Sequence, residues 1–290
     1  MSATVSQALD YYLTARQIDL EVGSLRPSSM SKLREFCGML RAHLPESELV
    51  ESLTPSHFRD VILNASQRWG PLRLRQLRQF LKGWLDWCEE DGVIERRPRL
   101  GKLPQPPVHI VPKPAYLASE YRELWSQGDR ITRIIMGLGL FAGCNCSDIE
   151  QLSPESIDGQ WFVQPRAKTG RARRAALPSF LISEINQAKL PLWSQRGPLT
   201  AKATTKLWQN RSSRILGERR SFTSWRTTLR TIAGQVDGEA LELAVMGHSP
   251  SLASKQLGRA QVGLEHYVRI DAISDDRLRS IRKAVLDWLA

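Results

Sequence analysis

The chain has 290 residues, 41% hydrophobic and 24% charged, enough for buried cores and long enough for two domains. Its net charge of +11 calls for a polyanionic partner, nucleic acid ahead of an anionic membrane, because phosphate contacts release condensed counterions. No run approaches the roughly 20 apolar residues of a membrane span, no secretory signal opens the chain, and Cys37, Cys88, Cys144 and Cys146 lack C-x-x-C or zinc-like spacing, as expected of reduced thiols in a cytoplasmic protein.

The first hundred residues carry helical periodicity. From Ser6 to Arg16, Leu9, Tyr12 and Leu13 share a face, and from Lys32 to His43 so do Leu33, Phe36, Cys37 and Leu40. Thr54-Pro55 marks a helix start, with a capping hydroxyl and a proline at the first helical position, and Phe58, Val61 and Ile62 follow at core spacing. In the next segment Leu74, Leu77, Leu81 and Trp84 form an apolar stripe, while Arg75, Arg78 and Lys82 recur on another face. That second face is either a phosphate-tracking surface or the solvated side of an amphipathic helix. Gly92 ends the helix.

Between Arg96 and Pro114 there are six prolines, a density that resists helix and favours an extended connector. Arg96, Arg97, Arg99 and Lys102 make the connector basic. The expected organisation is a helical domain over 1–103, a proline-rich linker over 104–117 and a second domain over 118–290. The second domain opens with a helix from Ala118 to Gln127 and a buried one from Ile131 to Phe141, apolar almost all round. From Trp161 the period changes to alternation, a turn falls at Lys168-Thr169-Gly170, and a basic return follows, which reads as a β-hairpin. Helices resume from Leu181 to Lys189 and from Thr223 onward. The last one, with Ser274 as cap, aligns Leu278, Ile281, Val285 and Trp288. The fold class is therefore mainly α with a small β-hairpin or sheet.

Four segments carry candidate chemistry: Phe141 to Ile157, the hairpin with Lys168, the helix with Arg226, and the stretch holding Gly247-His248 and Tyr267. Their order and residue types resemble the catalytic domain of the tyrosine recombinases, or phage integrases. Gly143 and Asp148 match that family's first motif, Lys168 its hairpin lysine, Arg226 its second arginine, Gly247-His248 its glycine-histidine pair, and Tyr267 its nucleophile. The resemblance spans nearly the whole chain and implies a helical, SAM-like core-binding domain ahead of an integrase-like catalytic domain. It also implies site-specific cleavage and rejoining of double-stranded DNA through a 3′-phosphotyrosyl link, on a protein that self-associates on DNA as a dimer or tetramer. Covalent capture conserves the bond energy, so no cofactor and no metal is expected. Guanidinium forks suit the non-bridging oxygens, a hairpin lysine can protonate the leaving alkoxide, and His248 either takes the phenolic proton or holds the phosphate. The implied setting is cytoplasmic, at the nucleoid and away from membranes.

Three departures stand against this pattern. The first family arginine falls at Asn145, the histidine of the H-x-x-R helix falls at Thr223, and the interval from His248 to Tyr267 is longer than the family's. Losing one transition-state donor costs about 10²–10³ in rate, so a catalytically impaired DNA-binding protein of the same fold, a regulator or accessory factor, is the alternative. Arg166, Arg171, Arg173 and Arg174 flank the lysine; each is either a replacement for the missing charge or a grip on the DNA backbone, and Arg171, Arg173 and Arg174 are assigned to the backbone. The last helix docks either on a neighbouring subunit or on its own domain.

Overall fold

The computed structural model describes residues 2–107, 113–167, 169–188, 190–194, 197–248 and 273–290, and divides into two compact units, Met1–Val111 and Pro112–Ala290. The expectations for Lys168 and Tyr267 lie outside the described residues.

In the first unit, helices α1 (Val5–Glu21), α2 (Pro27–His43), α3 (Pro55–Ser66) and α4 (Pro71–Glu90) pack around one core. Three of them open on a proline, whose missing N–H is no loss in the first turn. The fourth opens on a reciprocal cap, in which the Thr4 hydroxyl accepts from the Gln7 N–H at 3.3 Å and the Gln7 amide oxygen accepts from the Thr4 N–H at 3.0 Å. The stripe on α4 is buried as its spacing predicts, with Leu77, Leu81 and Trp84 fully enclosed. On the other face Arg75 and Lys82 are exposed and Arg78 is half-buried, its Nη1 donating to Gln105 Oε1 at 2.7 Å.

The second unit combines helices with a three-stranded antiparallel sheet. Helices α5 (Ala118–Gln127), α6 (Arg130–Phe141) and the short α7 (Cys146–Glu150) lead into strands β1 (Ile157–Asp158), β2 (Trp161–Val163) and β3 (Arg174–Ala176). Then come α8 (Ser179–Asn186), the pair β4 (Trp193–Ser194) and β5 (Gly197–Pro198), and α9 (Ala201–Leu216). Finally there are α10 (Ser224–Ala240), a π-helical turn at Leu241–Val245, and α11 (Asp275–Leu289). No described helix is long and apolar enough to cross a membrane.

Helix α6 is buried on nearly every face, as its composition predicts. Two glycines set how closely its neighbours approach: a Cβ on Gly137 would lie 2.6 Å from Leu181 of α8, and one on Gly139 would lie 3.0 Å from Trp225 of α10. Around Trp225 the core is aromatic. Tyr116 stacks on it at 3.7 Å, Trp208 meets it edge-on at 5.6 Å, and the Trp208 Nε1–H donates to the Tyr116 hydroxyl at 3.0 Å.

Two findings refine the sequence expectations. Helix α9 has no counterpart among them, because its inward stripe of Thr204, Trp208, Ser212 and Ile215 is half polar and hides the apolar period. Strand β2 ends at Val163 rather than at Arg166. Beyond it, among the described residues, the Gln164 N–H donates to the Arg173 C=O at 3.3 Å and the Arg166 N–H to the Arg171 C=O at 2.7 Å, and the Arg166 C=O accepts from the Thr169 and Gly170 N–H groups at 3.1 and 2.8 Å.

The docking of α11 is on its own unit. Leu278, Ile281 and Val285 are buried there, and Arg277 donates to Asp237 at 2.6 and 2.8 Å and to Glu239 at 3.0 Å. Asp237 lies at a break inside α10, where its φ of −151° and ψ of 81° leave the helical region.

Truncating Trp225 to alanine should cost about 3–5 kcal/mol of stability in a denaturant melt, whereas Val236→Ala, on an exposed face of the same helix, should shift the midpoint little.

Candidate active site

Arg226 lies in the first turn of α10 and is nearly fully buried. Its Nη1 donates to the Gly143 carbonyl, and its Nη2 faces His248 Nε2 at 3.4 Å. Gly143 ends α6 in the left-handed region with a φ of +59°, and a Cβ there would meet Met246 Sδ at 2.8 Å. Glycine is thus required for both the turn and the approach. Thr223 caps the same helix, is exposed, and accepts the Arg226 N–H on its carbonyl at 3.1 Å.

His248 is fixed from the other side by a residue outside the sequence motifs. The π-helical turn brings the buried Glu242 back toward the imidazole, and Glu242 Oε2 lies 2.5 Å from His248 Nδ1. Arg230, one turn after Arg226, grips the same carboxylate with Nε at 2.8 Å and Nη2 at 3.1 Å. Burial alone would raise the Glu242 pKa, but hydrogen bonds from His248 and Arg230 outweigh it, so the carboxyl is held below its usual range. An ionised Glu242 requires the imidazole proton on Nδ1, which leaves the Nε2 lone pair toward Arg226. The Arg230 Nη2 contact to Nδ1 at 3.3 Å then sets two donors face to face, so Glu242 is the true partner of Nδ1.

Asp148 organises the opposite wall. Its Oδ2 accepts the Asn145 N–H at 2.7 Å and Arg173 Nη1 at 3.2 Å, its Oδ1 accepts the Ala167 N–H at 3.0 Å, and its carbonyl accepts from Gln164 at 2.9 Å. One acidic residue therefore ties the start of α7 to both sides of the hairpin. Arg173 is not a surface arginine: its side chain and that of Asp148 have 0% exposure, its Nε donates to the Gln164 carbonyl at 3.3 Å, and it lies over the Phe162 ring. This corrects its assignment as a backbone-gripping residue, since an enclosed guanidinium that spends itself on a carboxylate cannot lie against an exposed strand. Gly247, with a φ of +58°, covers it so closely that a Cβ would stand 2.6 Å from Arg173 Cγ and 3.5 Å from Arg166 Cβ.

Among the described residues, the assembled cluster holds Arg166, Arg173, Arg226 and Arg230 against two carboxylates, Asp148 and Glu242. Burial lowers the Arg226 pKa to about 10, with Arg166 the leading charged contributor. The Arg166 pKa is also lowered, by burial first. His248 is pulled below its ordinary value, mainly by burial, with the Arg166 and Arg226 charges adding to that effect, while Glu242 opposes it. Neutral imidazole, ionised carboxylate and surplus guanidinium make a cluster suited to an oxyanion.

Of the residues singled out from sequence, Arg226 and His248 meet here, and Asn145 lies at the start of α7 with its backbone on Asp148. Arg171 is exposed at the hairpin, and Arg174 packs over Trp161 at 4.0 Å and pairs with Asp275 of α11. Arg230 carried a signal that was overlooked, four residues from Arg226 on the same helical face. Glu242 carried none, since the π-helical turn follows no ordinary period.

No family model matches the chain, and no curated protein sequence matches it. Solved structures do. A lambda integrase dimer bound to a COC′ core site aligns with a TM-score of 0.67 at 16% identity, over 94% of this chain and 81% of that one. A lambda integrase tetramer bound to a Holliday junction gives 0.68 at 17%, over 93% and 81%. The Tn1549 transposon integrase in complex with circular intermediate DNA gives 0.60 at 16%, over 96% and 99%. The chain thus has the tyrosine recombinase, or integrase, fold, mainly helical with a small antiparallel sheet.

Two outcomes test the site. In side-chain NMR, His248 should titrate below 6.5 and show the Nδ1–H tautomer; its unfolded form gains a proton that the folded form refuses, so stability should fall as pH drops through about 6.5. Gly247→Ala should lose at least about 1–2 kcal/mol from the left-handed backbone alone, read as a lowered melting temperature.

Proposed function

We propose that this protein is a tyrosine-type DNA strand transferase, a site-specific recombinase or integrase. The observation that carries the reading is the surplus of guanidinium charge around a buried, neutral histidine, inside a fold whose solved examples include integrases bound to DNA. Tyr267 is the nucleophile. Its oxygen bonds to a backbone phosphorus, the bond to the 5′ oxygen breaks, and a 3′-phosphotyrosyl link remains. Lys168 protonates the departing 5′ oxygen. Arg226 holds the charge that develops on the non-bridging oxygens. His248, with Nε2 unprotonated, takes the phenolic proton, and Glu242 stabilises the imidazolium that results. Rejoining runs the same steps backwards.

The first unit is the core-binding part, with Arg75, Arg78 and Lys82 of α4 along the phosphates and the proline-rich segment as linker. Arg171 and Arg174 serve the backbone from the second unit. The partner is double-stranded DNA, and subunits gather on it as dimers or tetramers, as the lambda integrase structures do.

The second reading, a DNA-binding protein of this fold with impaired cleavage, is favoured by Asn145, which places no cation at its position. A library of nicked duplexes with randomised flanks separates the two. Covalent adducts should form with the wild-type chain, vanish in Tyr267→Phe, and fall by at least about 10²-fold in Arg226→Ala. Specific duplex binding with no adduct would establish the second reading instead. Arg75→Ala and Lys82→Ala should each reduce the salt dependence of duplex binding by about one released counterion.

A further inference from the structure

Asn145 leaves the proposed phosphate site one guanidinium short of the pattern this chain resembles. The four hairpin arginines differ sharply in what they have left to give. Arg173 is enclosed and engaged by Asp148 and the Gln164 carbonyl. Arg174 is engaged by Asp275 and the Trp161 ring. Arg171 is exposed at the turn.

Arg166, half-buried like Arg174, is the one of the four that among the described residues has no ion pair and has its Nε shut off from solvent without a hydrogen-bond partner. Its Cβ lies beside Gly247, next in sequence to His248, and the hairpin around it is tied to the start of α7 through Asp148, where the Ala167 N–H and the Asn145 N–H meet one carboxylate. The backbone next to Arg166 therefore shares one carboxylate with the backbone of position 145. Within the cluster its charge bears on Arg226, Arg230, Arg173 and His248, and the two carboxylates nearby do not balance it. A guanidinium packed among like charges with donors unspent has one natural complement, an anion with several oxygens.

We propose that Arg166 replaces the absent first arginine and contacts the same phosphate as Arg226. The cation reaches the site from the hairpin instead of from the start of α7. This inference rests on the cluster being a phosphate site, but not on DNA cleavage.

The test uses the full chain and inorganic phosphate as probe, with binding followed by the His248 ring signals at fixed pH and ionic strength. Phosphate should shift those signals in the wild-type chain. Arg166→Gln should weaken binding by about 10-fold or more, the usual worth of a charged hydrogen bond, while the exposed Arg171→Gln changes it by less than about twofold. Adding Asn145→Arg to the Arg166→Gln chain should restore binding. Arg166→Lys, which keeps charge and loses the fork, should fall between, and it decides the matter if the glutamine variant does not fold.

Unchanged affinity in Arg166→Gln, or no recovery with Asn145→Arg, overturns the replacement. No phosphate binding by the wild-type chain overturns it together with the phosphate reading of the cluster. Phosphate binding that follows the expected order in a chain forming no covalent DNA adduct supports the replacement and removes only the cleavage reading.

Discussion

Crowding of like charge is the constraint around which the second unit is built. Two unit charges about 4 Å apart repel by about 4 kcal/mol at an effective dielectric of about 20. Four guanidiniums can share one region only if carboxylates divide them and burial is tolerated. Asp148 and Glu242 do the dividing, each holding one arginine and one other element: Asp148 takes Arg173 and the start of α7, Glu242 takes Arg230 and His248. Among the described residues, Arg226 and Arg166 are left without carboxylate partners of their own. Removing one member of a buried ion pair costs about 3–5 kcal/mol, so both carboxylates are necessary to the fold.

The backbone irregularities make this division geometrically possible. A regular helix continuing from α10 would carry Glu242 past the site; the break at Asp237 and the π-helical turn after it return the carboxylate to His248. Arg277 of α11 fastens that break through Asp237 and Glu239. The tautomer of His248 is thus linked, through a helix defect, to the docking of the last helix. Gly143 and Gly247 do the equivalent for the arginines, each giving a left-handed turn where a side chain would strike its neighbour. Insertions of the π type concentrate at functional sites because they re-aim side chains without dissolving the helix.

Much of the fold was legible because its periods are plain. The α4 stripe and the helices α5 and α6 follow from spacing alone. Helix α9 escaped because threonine and serine occupy half of its inward face. Gly143, Arg226 and the Gly247-His248 pair, singled out by residue type and order in the chain, lie together in the structure. What could not be read is what three-dimensional return brings in. Glu242 reaches His248 through an aperiodic turn, and Arg173, one of several basic residues in a row, is singled out only by enclosure beneath Gly247.

Enclosure also changes what a basic run means. Arg171, Arg173 and Arg174 look interchangeable in sequence, yet one is solvated, one lies buried against Asp148 and one is stacked on Trp161 beside α11. Alternating side-chain direction along the hairpin separates Arg173 from Arg174, since adjacent residues face opposite sides, whereas Arg171, on the same side as Arg173, is solvated because it lies next to the turn. The same alternation places Arg166 and Arg173 together at Gly247 while Arg174 faces Trp161. A guanidinium drawn from the hairpin depends on hairpin register in a way that one drawn from the start of α7 would not, because a one-residue slip would turn it to the opposite face. The bonds that Asp148 makes to Ala167, Gln164 and Arg173 fix that register. Asp148 accordingly holds in place the hairpin that carries Arg166.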